Sequence, residues 1–174
     1  MKKSIQHLTI ASILISLSVV INVFFRMFIA NQFFGIPLFA LPLIIGSIVL
    51  GPKTGAAMGL ITDVLSFFLG SQTTFLPLFS FSRIAWGFLP GFFYYGKRQI
   101  FLLFIGILIT HLVATTINSF ALYLYQAEGM FLTLPTRLIM IPFNVTGLTI
   151  LTSIVLISIP DEIKQISSNT ALVR

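Results

Sequence analysis

Charged side chains are so scarce in this chain that they constrain its fold more than any other feature. Of its 174 residues, 8% are charged and 57% are hydrophobic, and the mean hydropathy is +1.06. Soluble domains carry about 25% charged residues, so a chain of this length lacks the polar surface that a soluble fold needs. This composition excludes a soluble enzyme, a nucleic-acid-binding domain and a disordered chain. It predicts an all-α integral membrane protein with one domain over residues 1–174.

Short breaks of Gly, Pro and charged residues divide the chain into six apolar stretches. Six is also the largest number of spans that the length allows at about 20 residues each. The first stretch follows two lysines and is interpreted as a span, not as a signal peptide. The second and third are short for a hydrocarbon core of about 30 Å, so they must stand upright, end in thinned bilayer or be shielded by neighbours. The predicted spans are Leu8–Ala30, Ile36–Leu50, Thr54–Leu69, Phe79–Tyr95, Ile100–Tyr125 and Leu132–Ile159.

The basic residues outside these spans alternate from loop to loop. They occur at the N-terminus, in the second and fourth loops and in the C-terminal tail, and the other three loops contain none. The positive-inside rule therefore places both termini in the cytoplasm, and it accounts for the net charge of +6 without a nucleic-acid partner. These basic residues are Lys2, Lys3, Lys53, Lys97, Arg98, Lys164 and Arg174.

Three arginines and one aspartate remain inside the spans: Arg26, Arg83, Arg137 and Asp63. With this topology all four lie in the outer half of the membrane. A charge there costs about 2.5–3.5 kcal/mol on insertion scales, and it usually faces the bundle interior or a wet cavity. For any one arginine, snorkelling to the headgroups or structural pairing is an equally frequent explanation. Together they predict an outward-facing pocket of net positive charge. Its ligand is expected to be an anion with carboxylates, which guanidinium groups bind in a bidentate fork.

Aromatic and amide side chains supply the other predicted walls of this pocket. Phe33, Phe34 and Phe75 lie in uncharged outer loops and are predicted to stack on a planar ligand; the alternative is a solvated turn. Trp86 is predicted to stack on a ring or to anchor the helix at the interface. Asn144 is an amide inside a span, so it needs a partner in the bundle and is predicted to contact the ligand.

Catalytic motifs are missing from the sequence. There is no cysteine, no phosphate-binding loop and no Ser–His–Asp or H-E-x-x-H signature, and His7 and His111 stand apart from other metal-ligating residues. The sequence therefore predicts neither an enzyme nor a cofactor. Ser12 and Ser16 form a small-x-x-x-small pair on the first span, which predicts either docking of another membrane protein or packing within the bundle.

Several motifs resemble the substrate-binding S subunits of energy-coupling factor (ECF) vitamin transporters, over essentially the whole chain. The run Leu50-Gly51-Pro52-Lys53-Thr54-Gly55-Ala56, followed by Gly59, Asp63 and Gly70, is similar to the family's "GP-x-x-G…G…D" stretch. Phe75-Leu76-Pro77 and Gly87-Phe88-Leu89-Pro90-Gly91 continue the similarity. Arg26 at the end of the first span and Leu134-Pro135-Thr136-Arg137-Leu138-Ile139 resemble the folate-specific branch, whereas Ser80–Trp86 departs from that branch's small-residue pattern.

This resemblance implies a six-helix vitamin binder in a bacterial plasma membrane. It implies docking onto a transmembrane scaffold subunit that is driven by two cytoplasmic ATPases, with Ser12 and Ser16 at the places of the family's A-x-x-x-A docking motif. Folate carries two carboxylates for the arginines and a pterin edge for Asp63 or Asn144. The alternatives are another vitamin (pantothenate, pyridoxine or hydroxymethylpyrimidine), a proton-coupled carrier that uses Asp63, and a membrane enzyme.

Overall fold

The protein is an all-helical bundle of six α-helices, as the composition predicts. The computed structural model describes residues 2–28, 37–70, 75–94, 99–125 and 127–159. The helices are α1 (Lys2–Phe28), α2 (Ala40–Leu50), α3 (Pro52–Leu69), α4 (Pro77–Tyr94), α5 (Ile100–Tyr125) and α6 (Ala127–Ser158).

The helix bounds agree with the predicted spans to within two residues except at three N-terminal ends. The α5 helix covers the predicted range, whereas α6 begins five residues earlier, and α1 begins six residues earlier because the mostly polar residues 2–7 extend it beyond its apolar stretch. The α2 helix begins four residues later than the predicted span because residues 37–39 form a turn, in which the Ala40 amide donates to the Pro37 carbonyl at 2.9 Å.

Three helical segments are long and apolar enough to cross a membrane on their own: Ser4–Phe25, Ile100–Tyr125 and Thr133–Ser158. The α2 helix has 11 residues, about 16 Å at 1.5 Å per residue, which is roughly half of the hydrocarbon core. It packs against α1, α3, α4 and α6, and ten of its residues are buried. Of the options that the sequence left open for this short helix, the structure therefore shows shielding by neighbours.

A single residue, Gly51, joins α2 to α3. Its φ of 96° lies in the left-handed region that other L-residues rarely adopt. Pro52 follows as the first residue of α3, where its missing N–H leaves no helical bond unmade. The Gly-Pro pair of the family-like motif thus makes the sharp reversal between these two helices.

Glycines bring the backbones of α3 and α4 into direct contact. A Cβ atom at Gly55 or Gly87 would overlap the carbonyl oxygen of the other residue, and a Cβ at Gly59 would overlap the Arg83 carbonyl. Gly55 meets Gly87, whereas Gly59, four residues further along α3, meets Arg83, four residues back along α4. The two helices therefore run antiparallel in a fixed register. The small-residue side of α3 is therefore packed inside the bundle.

The α4 helix occupies the position on which the candidate site depends. It packs against α3 on one side and α5 on the other, and α6 packs against α5. As a result, α4 can present one side chain towards α3 and another, one turn away, towards α5.

We expect Gly87→Ala to destabilise the bundle, because the added methyl group overlaps the Gly55 carbonyl and α4 must move away from α3. Overpacking of this kind costs about 1–3 kcal/mol. Thermal unfolding in detergent, followed by circular dichroism, should show a lowered Tm. The matched control is Gly147→Ala on α6, where a Cβ would meet no atom within 4 Å. Equal Tm values for the two variants would contradict the close contact of α3 and α4.

Candidate binding site

Asp63 and Arg83 form a buried ion pair between α3 and α4. The Arg83 Nε lies 3.6 Å from Asp63 Oδ1, and the Ser80 hydroxyl donates to Asp63 Oδ2 at 2.7 Å. Both charged residues are 7% exposed. The glycine register explains the pairing, because Asp63 lies one turn after Gly59 on α3 and Ser80 lies about one turn before Arg83 on α4.

Arg83 is also tied to the first two helices. Its Nη2 donates to the Asn22 side-chain oxygen at 3.0 Å, and its Cζ lies 3.5 Å from the ring centroid of Phe39, just before α2. Phe39 is held in turn by the Ser18 hydroxyl, which donates to the Phe39 carbonyl at 2.7 Å. The Arg83 guanidinium is therefore compensated within the protein by a carboxylate, an amide oxygen and an aromatic face.

A second buried polar chain joins α4, α5 and α6. The Trp86 and His111 rings meet edge to face, with centroids 5.5 Å apart. Asn144 Nδ2 lies 3.2 Å from His111 Nε2, and His111 Nδ1 lies 3.2 Å from the Thr115 hydroxyl oxygen. With the amide in this orientation Nε2 accepts, so the ring proton is on Nδ1 and is donated to Thr115. His111 is thus the centre of a buried chain that joins α5 to α6 by a hydrogen bond and α4 to α5 by a ring contact.

Arg137 lies on α6, seven residues before Asn144 and on the same helix face. It is half-buried. Within the part of the chain whose side chains are described, no salt bridge or hydrogen bond engages its guanidinium. In this respect Arg137 differs from Arg83.

Asn118 on α5 lies at the same level as Arg137. His111 on α5 pairs with Asn144 on α6, and the two helices are antiparallel. Asn118 lies seven residues after His111 and Arg137 lies seven residues before Asn144, so both are displaced by the same distance in the same direction along the bundle. The Asn118 side-chain oxygen is buried and meets no hydrogen-bond partner among the described residues. At the level of Arg137, α5 therefore carries a buried acceptor that no described group engages.

The remaining predicted site residues lie apart from this cluster or outside the described structure. Phe75 is 38% exposed and packs edge to face on Phe67, with ring centroids 5.2 Å apart. Phe33, Phe34 and the side chain of Arg26 lie outside the described residues.

Sequence reasoning singled out neither Asn22 nor Asn118. Both are amides inside apolar spans, which is the signal that identified Asn144. Asn22 also lies one helical turn before Arg26, a spacing that would have drawn attention to it. Among the described residues, no group of three or more His, Asp or Glu side chains is placed to hold a metal ion.

The serine pair of α1 faces away from the bundle. Ser12 and Ser16 are exposed, and each hydroxyl donates to the carbonyl four residues earlier at 2.9 Å. The buried face of α1, with Ala11, Ser18 and Asn22, lies on the other side. The pair therefore forms a stripe of small side chains on the exposed face of α1, and both hydroxyls are satisfied by carbonyls of the same helix.

In a comparison with protein-family models, the model described as "ECF transporter, substrate-specific component" matches residues 6–171. Comparisons with curated proteins and with solved structures gave no match. The matched range includes the ion pair, the His111 chain and Arg137.

We expect Asp63→Asn to destabilise the protein, because it leaves the Arg83 guanidinium buried beside a neutral amide. Removing one partner of a buried ion pair costs about 3–5 kcal/mol. The double variant Asp63→Asn, Arg83→Met removes both charges and should be more stable than Asp63→Asn alone, as measured by thermal unfolding in detergent. Lys53→Gln, which neutralises an exposed charge, is the control. An Asp63→Asn protein as stable as this control would contradict the structural role of the pair.

Proposed function

The chain belongs to the family of ECF transporter substrate-specific components, a family of membrane transport subunits, and from this premise we propose that it captures folate and delivers it to an energising module. The proposal combines the family's role with the polar groups that converge between α4, α5 and α6. It needs a ligand that is anionic at one end and flat, with hydrogen-bonding edges, at the other.

The Arg137 guanidinium, which no described side chain engages, carries the anionic part of this proposal. A half-buried cation in a membrane-spanning helix is costly unless a counter-charge approaches it. No described side chain supplies that charge. A ligand carboxylate would supply it with a bidentate, charge-assisted pair, and the neighbouring Asn118 side-chain oxygen would accept a hydrogen bond from an N–H or O–H group of the same ligand.

Folate fits the rest of the proposed site through its second carboxylate and its pterin ring. We assign the second carboxylate to Arg26. The flat rings suit Trp86 and the loop residues Phe33, Phe34 and Phe75, and the pyrimidinone edge suits the Asn144 amide. In this proposal Asp63 and Arg83 form one wall of the site, one helical turn nearer the outside than Trp86, and hold α4 in place.

A monocarboxylate vitamin such as pantothenate is the second candidate. The compensation of Arg83 by Asp63 and Asn22 favours it, because fewer cations then remain for a ligand. A neutral vitamin such as pyridoxine or hydroxymethylpyrimidine ranks lower, since it would leave Arg137 uncompensated. A proton-coupled carrier centred on Asp63 ranks lower still, because that carboxylate is engaged in a salt bridge.

The proposed setting is the plasma membrane of a bacterium, with both termini in the cytoplasm and the site towards the outside. The partners would be a transmembrane scaffold subunit and two cytoplasmic ATPases. We assign scaffold docking to the stripe of Ser12 and Ser16, because small side chains let the backbones of two helices approach closely.

Arg137→Ala is expected to weaken folate binding at least tenfold, since a hydrogen bond to a charged group is worth about 1.5–3 kcal/mol. Arg137→Lys keeps the charge but loses the fork, and it should give an intermediate affinity. Isothermal titration of the purified protein measures both. Ile139→Ala, at an exposed position two residues away, is the control. Folate affinity that is unchanged in Arg137→Ala would refute the assignment.

Replacing both Ser12 and Ser16 with Leu is expected to abolish uptake in cells that supply the energising module, because the added bulk separates the docking helices. Folate binding by the isolated variant should stay intact. The matched control is Ser158→Leu, since Ser158 is also exposed and its hydroxyl also donates to the carbonyl four residues earlier. A binding defect in the double variant would instead indicate that the stripe has a structural role.

A further inference from the structure

A groove of about 500 Å³ runs between α5 and α6, and Thr115 of the polar chain centred on His111 is one of its lining residues. Its walls include Leu112, Phe120 and Tyr123 from α5 and Leu134 and Leu138 from α6. Residues 112, 116, 120 and 123 follow one another at helical spacing, so the groove runs lengthwise along α5 and not across it.

The groove opens sideways, on the surface of the bundle that faces the lipid of the membrane. Leu112, Phe120, Tyr123 and Leu138 are each about half exposed, whereas Ser119 on the floor of the groove is buried. Both helices contain segments long and apolar enough to cross a bilayer. The medium in front of the groove is therefore lipid hydrocarbon.

No charged side chain lines the groove, and its two threonine hydroxyls are already used, whereas the buried Ser119 hydroxyl meets no hydrogen-bond partner among the described residues. Thr116 donates to the Leu112 carbonyl at 3.0 Å, and Thr115 is engaged by His111 at 3.2 Å. The lining therefore offers an apolar channel with no charge complementarity for a phosphate or a carboxylate.

The length of the groove matches one leaflet of a bilayer. From Leu112 to Tyr123 is 11 residues along α5, about 16 Å at 1.5 Å per residue, and the hydrocarbon core of one leaflet is about 15 Å deep. Tyr123 stands at the end nearer the α5–α6 connection, and tyrosine is enriched at membrane interfaces.

We propose that this groove binds one acyl chain of a phospholipid, lying along α5 with its headgroup beyond Tyr123. Hydrocarbon fills the apolar volume, and the shape of the groove selects a single chain. Since no charged residue lines the groove, binding depends on the acyl chain and not on headgroup charge. The lining of this lipid site includes Thr115 of the His111 chain but neither Arg137 nor Asn118, and the proposal does not depend on which vitamin is bound.

Native mass spectrometry of the full-length protein, with added lipid, tests this proposal. The probes are phosphatidylcholine and phosphatidylglycerol with identical acyl chains. We expect one bound lipid per protein with either probe. Leu138→Trp fills the groove and should lower lipid occupancy at least fivefold. The control, Ile139→Trp, places the same bulk at the next residue, which is exposed and does not line the groove.

A second pair of variants covers the case in which Leu138→Trp fails to fold. Phe120→Ala removes a wall and should also lower occupancy, whereas Phe143→Ala removes an exposed ring of α6 outside the groove and should not. Equal occupancy within each pair, or a strong preference for phosphatidylglycerol, would overturn the proposal. So would loss of folate binding in Leu138→Trp or Phe120→Ala with lipid occupancy unchanged, because the groove would then belong to the vitamin site. Failure of folate to bind the unaltered protein would affect only the proposed function.

Discussion

Polar side chains buried in this bundle need hydrogen-bonding or charged partners from the protein itself, because lipid hydrocarbon supplies none. This requirement determines which helices are joined to one another. Arg83 meets it with Asp63, Asn22 and the Phe39 ring, which tie α4 to α1, α3 and the segment before α2. His111 meets it through Thr115 and Asn144, which tie α5 to α6. Because an unsatisfied polar group costs several kcal/mol in hydrocarbon, each chain of contacts also holds its helices together. Arg137 has no such counter-group among the described residues, and for this reason the proposed ligand is an anion.

Close backbone contact makes these polar chains possible. The glycines of α3 and α4 bring the two helices together in antiparallel register, which places Asp63 beside Ser80 and Arg83. The buried α2 helix fills the centre of the bundle and leaves α4 between α3 and α5. One helix can then direct Arg83 to one neighbour and Trp86 to the other. The structural ion pair and the proposed vitamin site are therefore about one helical turn apart on α4.

Hydropathy and helix breakers predicted most of the fold, because in a membrane protein the apolar stretches are the helices. The bounds of α5 and the shortness of α2 follow directly from the sequence. Pairing between helices could not be predicted in this way. The sequence placed Arg83, Arg137 and Asp63 in one layer, but only the helix register shows that Asp63 and Asn22 engage Arg83 and leave Arg137 apart. Asn118 was missed for the same reason, since its level with Arg137 depends on how α5 packs against α6.

The central claim is that this subunit exists to capture a carboxylate-bearing vitamin. The most direct measurement is mass spectrometry of the small molecule that the protein retains when it is purified under mild conditions from cells grown with a mixture of vitamins. The account predicts a single retained compound with at least one carboxylate, and folate in particular. Retention of an uncharged vitamin such as pyridoxine, while folate and pantothenate are present, would contradict it.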